Sequence, residues 1–257
     1  MKQDSPFAKP DALDETMSRG WRALREQPVD GWVSRFSHGV TKRANSILPL
    51  SEPSDVHDAL VEAESLYAAR GLPTVFQISD DSLPRNLDEV LATRGYREES
   101  PTLVQFLALD DSVAPDGHDE HSLLFSNQPS PEWLEAFWQV EGPHDPTHQA
   151  ISRQILTNTE SIYASLVHEN TVVAVARLAL VGGLGGIYCV ATREGFRSRG
   201  YARALIHSLI REAAERKLSG LWLQVVASNH VACRLYSSLG FETVSQYHYR
   251  VQPRQGS

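Results

Sequence analysis

Ile187-Tyr188-Cys189-Val190-Ala191-Thr192-Arg193-Glu194-Gly195-Phe196-Arg197-Ser198-Arg199-Gly200-Tyr201-Ala202 is the stretch around which the rest of the chain is arranged. Residues 187–191 read as an apolar strand, and a short polar turn follows. A helix opens near Gly200, because Ala204, Leu205, Leu209 and Ile210 recur at helical spacing. Such a join has a chemical use. The first N–H groups of a helix have no partner within it and its dipole places partial positive charge there, so the turn is a ready anion site. Gly200 lets the backbone approach a phosphate closely, and Ala202 adds almost no side chain to obstruct it.

Outward from this stretch, the composition sets limits. The chain has 257 residues, 41% of them hydrophobic, enough for one elaborate domain or two modest ones. A net charge of −8 argues against a general nucleic-acid binder, which needs clustered Lys and Arg. Cys189 and Cys233 are the only cysteines, which suits a reducing compartment and argues against a disulfide scaffold or a zinc ribbon. No apolar core of signal-peptide length follows Met1-Lys2-Gln3-Asp4, and no apolar run approaches the ~20 residues of a membrane helix. A cytoplasmic location away from membranes is expected, as a monomer or a homodimer.

Along the chain, Ala12, Leu13, Met17, Trp21 and Leu24 predict an amphipathic helix that ends before Pro28. Asp30-Gly31 turns the chain into a strand at residues 32–36, and residues 37–50 read as a hairpin or irregular crossing. A helix at 55–70, a strand at 75–78, a short helix at 87–94 and a strand at 102–109 follow. Residues 110–120 are acidic, with little apolar content, and read as a linker. Beyond it come a strand at 122–125, a helix opened by Pro129-Ser130-Pro131, a polar loop at 141–148, a helix at 149–156 and strands at 162–168 and 172–180. Gly182-Gly183-Leu184-Gly185-Gly186 reads as a plain hairpin turn, ahead of the alternative that it admits a ligand close to the backbone. After the focal helix, a strand at 221–226, a helix at 229–239 and two final strands within 241–251 complete the chain.

Two motifs carry a family resemblance. Arg197-Ser198-Arg199-Gly200-Tyr201-Ala202 fits the pattern Arg/Gln, any, any, Gly, any, Gly/Ala, and Asn229-His230-Val231-Ala232-Cys233-Arg234-Leu235-Tyr236 runs on to Leu239-Gly240-Phe241. Together they resemble the GCN5-related N-acetyltransferases (GNAT family) across residues 120–252. The resemblance implies an α/β (α+β) fold, with a mixed, mostly antiparallel sheet splayed into a V, flanked by helices, and acetyl-CoA in the split. Gly31-Trp32, Arg43-Ala44-Asn45-Ser46 and Arg94-Gly95-Tyr96 make residues 1–109 similar to the degenerate first half of tandem members. No phosphate signature opens a helix there, so no working pyrophosphate site is expected. The implied organisation is a degenerate half at 1–109, a linker at 110–119 and a catalytic half at 120–257.

The resemblance also distributes roles. Backbone groups of Val190 and Thr192 would pair with the pantetheine arm. N–H groups of Ser198, Arg199, Gly200, Tyr201 and Ala202 would ring the pyrophosphate, with charge from Arg197 or Arg199. Tyr236 would be the general acid toward the departing thiolate, or else an aromatic filling a helix face. Asn229 would cap its helix, bond the pantetheine, or both. Cys189 lacks an evident partner base and reads as a packing residue, which favours direct transfer to the amine over an acyl-enzyme. The strand before the turn offers Tyr188 and Cys189 where relatives often carry a carboxylate, so the base is left among Glu141, His144, Asp145 and His148, with Glu141 put first. Those four could also hold a metal, but such loop clusters are more often solvated and none is expected. The function implied is N-acetylation of a primary amine from acetyl-CoA, against the alternative of a non-catalytic acyl-CoA sensor. The acidic balance leans toward a cationic acceptor. A nucleotide P-loop is excluded, because no Gly-Lys-Ser/Thr follows the glycines.

Overall fold

Residues 12–109, 122–142 and 145–253 are described by a computed structural model. The first helix, α1 (Leu13–Gly20), buries Leu13 and Met17 and stops at Gly20. A Cβ there would lie 2.6 Å from the Tyr188 hydroxyl and 2.8 Å from Trp222 Cζ2, so the missing side chain is what lets α1 settle onto the later half of the chain. The helix is therefore shorter than its apolar spacing predicts, and a strand the spacing does not show, β1 (Arg25–Val29), follows. β1 tolerates Pro28 because it is the outermost strand, where a missing N–H breaks no ladder. Asp30 and Gly31, at φ +36° and +86°, turn it into β2 (Trp32–Phe36).

The expected irregular crossing contains a single 3₁₀ turn (Lys42–Ala44) and a short strand, β3 (Ile47–Pro49). α2 (Val56–Ala68), β4 (Val75–Ser79), α3 (Leu87–Thr93) and β5 (Arg97–Ala108) complete the first part. The second part runs β6 (Ser122–Ser126), α4 (Pro131–Glu141), α5 (Pro146–Thr157), β7 (Ser161–His168), β8 (Thr171–Val181), β9 (Leu184–Thr192), α6 (Tyr201–Glu215), β10 (Gly220–Val226), α7 (His230–Ser237) and β11 (Glu242–Val251). Ser130 caps α4 by accepting from the Trp133 N–H, with Pro131 at the first helical position. The two strands expected at the end are one, β11, bent by irregularities at Thr243/Ser245 and Tyr247/Tyr249. The predicted linker lies outside the described residues.

Among the described residues the strands form one sheet of eleven in the order β1-β2-β3-β4-β11-β5-β10-β9-β8-β7-β6. All neighbours are antiparallel except β3/β4 and β9/β10. β11 sits between β4 and β5, while β5 reaches across to pair with β10. Each part thus completes its sheet with the closing strand of the other. The series β3, α2, β4, α3 repeats as β9, α6, β10, α7, so two similar units share the sheet.

The glycine-rich stretch divides. Gly182 and Gly183, at φ +55° and +83°, make the β8–β9 turn, as expected. Gly185 and Gly186 lie inside β9, where a Cβ on Gly186 would come within 2.4 Å of Trp222 Cζ2. Their role is close packing of β9 against β10. α6 buries Leu205, Ile206, Leu209 and Ile210 against the sheet, roughly 1.5–3 kcal/mol for each large side chain. Another core joins Leu13, Met17 and Trp21 to Trp133, Phe137, Tyr188 and Trp222, and so cements the first part of the chain to the second.

Candidate active site

The parallel pairing of β9 with β10 runs from Leu184↔Gly220 to Ile187↔Leu223 and stops. Beyond it residues 188–192 stay on β8 and residues 224–226 stay on β5, so the sheet splits between them. A bulge accompanies the split: Tyr188 faces Arg177 and Ala191 faces Val175, so Cys189 and Val190 together oppose Ala176 alone. Cys189 takes φ +56° to accommodate it. The Arg193 N–H donates to Val173 O at 2.9 Å across β8. By strand alternation Thr192 and Val190 turn their backbone groups the other way, into the split.

At the far end of this strand the chain reaches α6. Gly200 is its N-cap residue at φ +81°, with no side-chain cap and no acidic residue in the first turn. Among the described residues, no protein acceptor takes the N–H of Ser198, Arg199, Gly200, Ala202 or Arg203. Residues 197–200 are exposed. Arg197 Nε donates to Thr192 O at 3.3 Å and Arg199 Nη2 to Gly195 O at 3.2 Å, which folds the turn and holds both cations beside it. A bare, positively polarised helix start flanked by two arginines fits a pyrophosphate. The matching place in the first part is filled: Asp55 caps α2 by accepting from Asp58 N–H, and Asp30 accepts from Ser54 N–H at 2.7 Å. Leu83 N–H donates to Pro49 O at 3.0 Å across the end of β3, so protein occupies that opening.

Residues 9–251 match the family described as "Probable histone acetyltransferase Rv0428c C-terminal". The chain belongs to that family. It is a GNAT acyltransferase. The uncharacterized N-acetyltransferase YobR of Bacillus subtilis (strain 168) is 28% identical to it over 244 residues, which is 93% of this chain and 97% of the relative. A GCN5-related N-acetyltransferase from Kribbella flavida shares the fold with a TM-score of 0.71 at 16% identity, over 95% of each chain. A tandem GNAT protein from the clavulanic acid biosynthesis pathway does so with a TM-score of 0.64 at 12% identity, over 98% of this chain and 90% of that one.

In this GNAT chain Tyr236 lies on α7, which Arg203 ties to the first turn of α6 through Ser238 Oγ at 2.5 Å. Its ring meets Phe241 edge-on at 6.3 Å. The hydroxyl has no hydrogen-bond partner among the described residues. Burial, with the Cys233 thiol adding to it, pushes the phenol up to about 12. Asn229 is the helix cap: its Oδ1 accepts from Ala232 N–H at 3.1 Å.

Beside Cys189 a cavity of about 110 Å³ is walled by both parts of the chain: Trp21, Thr41 and Arg43 from the first, Phe137, Trp138, Glu141, His148 and Ser152 from the second. Of the four nominated bases, the fold brings Glu141 and His148 to this cavity. Asp145 caps α5 by accepting from the His148 N–H at 2.9 Å, and His144 lies outside the described residues. Tyr188 is tied down: its hydroxyl donates to Met17 O and accepts from Trp222 Nε1, both at 3.1 Å. Burial pushes the Cys189 thiol up to about 12, against the opposing pull of Arg177 and Arg43, so it is no thiolate nucleophile near neutrality. Among the described residues no three His, Cys, Asp or Glu side chains gather as a metal site. A larger cavity of about 420 Å³ between β4, α3 and β11 contains none of the nominated residues.

Sequence reasoning missed Arg43 and Trp138. Arg43 is carried by the 3₁₀ turn, and Asn45 ties that turn in place: its Oδ1 accepts from Ser37 and Gly39 N–H, and its Nδ2 donates to Val40 O and Thr41 O. The guanidinium lies over Trp21 and Tyr188, 5.4 and 5.6 Å from their ring centres. Nothing local announces this, because its neighbours come from distant parts of the chain.

Proposed function

We propose that this chain moves an acetyl group from acetyl-CoA directly to a primary amine within a ternary complex. One observation carries the reading: the edge of β9 at Val190 and Thr192, which pairs with no strand across the split, leads through the turn at 193–199 into the uncovered start of α6. Val190 and Thr192 hold the pantetheine arm as though it were an added strand. Backbone N–H groups at Ser198, Arg199, Gly200, Tyr201 and Ala202 take the pyrophosphate, and Arg197 and Arg199 supply charge. Asn229 fixes the start of α7, and that helix presents the Tyr236 hydroxyl to the sulfur as the thiolate leaves. Glu141, exposed at the edge of the cavity, accepts the proton of the attacking ammonium through water. A protonated Cys189 favours direct attack over an acyl-enzyme. The reading assigns catalysis to residues 120–257 and treats 1–109, joined by 110–119, as a degenerate half that walls the acceptor cavity.

The test is release of CoA thiol from acetyl-CoA across a panel of primary amines, with acetyl-CoA binding measured by calorimetry. Amine-dependent release, with no acetyl group retained on the protein by mass spectrometry, is the expected result. Tight binding with no release by any amine would make the chain an acyl-CoA sensor instead.

A further inference from the structure

We propose that the acceptor is a small primary amine that carries a carboxylate, and that Arg43 and Trp138 hold that carboxylate in the cavity beside Cys189. This substrate class rests on the acyl-transfer reading above. Arg43 Nε and Trp138 Nε1 are both buried and have no hydrogen-bond partner, and both side chains line the same cavity. A native protein leaves few such donors unsatisfied, so two in one small space point to an acceptor brought by a ligand. N–H donors cannot bind an ammonium group; they bind oxygen lone pairs.

Charge points the same way. Among the described residues no carboxylate forms an ion pair with Arg43, whose guanidinium lies over the Trp21 and Tyr188 rings and meets the Tyr247 hydroxyl. Arg177 is fully buried near the same rings, 5.7 Å from Trp21 and 5.5 Å from Tyr188; its Nη1 donates to Gly20 O at 2.9 Å, and Nε and Nη2 have no hydrogen-bond partner. The other titratable neighbours of Arg43 are Tyr188, Tyr247 and Tyr249, which are phenols. A chain of net charge −8 has therefore gathered a buried and a half-buried cation here, neither of them ion-paired among the described residues. Buried charges are normally paired, and a ligand carboxylate would complete the pair.

Of the two, Glu141 is exposed and Arg43 half-buried, a polarity that suits an amine directed outward and a carboxylate directed inward. A cavity of about 150 Å³ admits benzene, so about 110 Å³ accommodates roughly five or six heavy atoms, the size of a small amino acid. A lysine side chain on a basic peptide would bring no anion, so this local charge overrides the lean toward cationic acceptors that the net charge suggests.

The experiment compares kcat/KM, from CoA release, for glycine and alanine, for their amides, and for methylamine and ethylamine. The wild type is expected to prefer the carboxylates by roughly ten- to hundredfold, the range of a hydrogen bond to a charged group. In Arg43→Met, and in Trp138→Phe, which keeps a ring and removes only the N–H, that ratio should fall toward one, chiefly through KM. In parallel, alanine should raise the melting temperature of the wild type and not of either variant. Equal kcat/KM for alanine and its amide in the wild type would overturn the proposal. So would an equal loss of kcat for every amine in Arg43→Met, which would place the guanidinium on the reaction's oxyanion. If no amine releases CoA, the transfer reading fails, and the melting comparison alone then decides whether the carboxylate site exists.

Discussion

Replacing Tyr236 with Phe removes one hydroxyl and tests how the thiolate is helped to leave. An alkyl thiol such as cysteine has a pKa of ~8.5. The buried Tyr236 phenol is raised to about 12. Complete transfer of its proton to the sulfur would then run uphill by several kcal/mol, at about 1.36 kcal/mol per pKa unit. Tyr236 is therefore expected to steady the thiolate by donating a hydrogen bond, with the proton coming finally from solvent. A hydrogen bond to a charged group is worth about 1.5–3 kcal/mol, so kcat of Tyr236→Phe should fall by roughly ten- to hundredfold. Acetyl-CoA affinity should hardly change. Because burial raises the phenol, it stays protonated until the pH approaches about 12, and kcat should show no descending limb from this group across the usual assay range. The same shift means that stability linked to the neutral phenol is present below ~10 and lost as the pH rises toward about 12. Stopped-time CoA release with calorimetric binding measures both quantities. An unchanged kcat would remove Tyr236 from the reaction, and a loss near ten-thousandfold would refute the hydrogen-bond account in favour of full general-acid transfer.

Three further outcomes are expected. Gly200→Glu places a carboxylate and a strained left-handed residue, at φ +81°, on the start of α6, and should abolish acetyl-CoA binding with little loss of melting temperature; retained binding would displace the pyrophosphate site. Gly186→Ala forces a methyl group to within 2.4 Å of Trp222 and should cost about 1–3 kcal/mol, several degrees of melting temperature, whereas an unchanged melt would refute the packing argument. Asp88→Asn loosens β11 from α3, because Asp88 accepts from Arg250 at 2.7 and 2.8 Å and from His248 at 2.8 Å. Arg250 holds the Asp88 carboxyl below its ordinary value, so this stability is present above the usual carboxylate pKa of ~3.9 and is lost as the pH falls through the lowered value. At a side-chain exposure of 36% the loss should stay under ~1 kcal/mol, and a melting gap that persisted in strong acid would refute the linkage.

The elements that could be read in the sequence are those whose causes are local. Helix α6 follows from the spacing of Leu205, Leu209 and Ile210, its phosphate-ready start from Gly200, and α7 from the Asn229 cap. Other elements have local signals that are weak or misleading. Pro28 hid β1, which only its edge position permits, and Gly185-Gly186 looked like a turn because the reason for their missing side chains, Trp222, lies on another strand. The single strand β11 was read as two because its bulges break the alternation.

By itself the sequence determined the family motifs and the uncovered start of α6 proposed to meet an anion, since each depends on neighbours within a few residues. Only the tertiary structure decided that β5 and β11 are exchanged between the units, and that Arg43, Trp138, Glu141 and Cys189 share one cavity. Strand order and the burial of a donor without an acceptor depend on which distant segments meet, and no periodicity along the chain encodes that meeting.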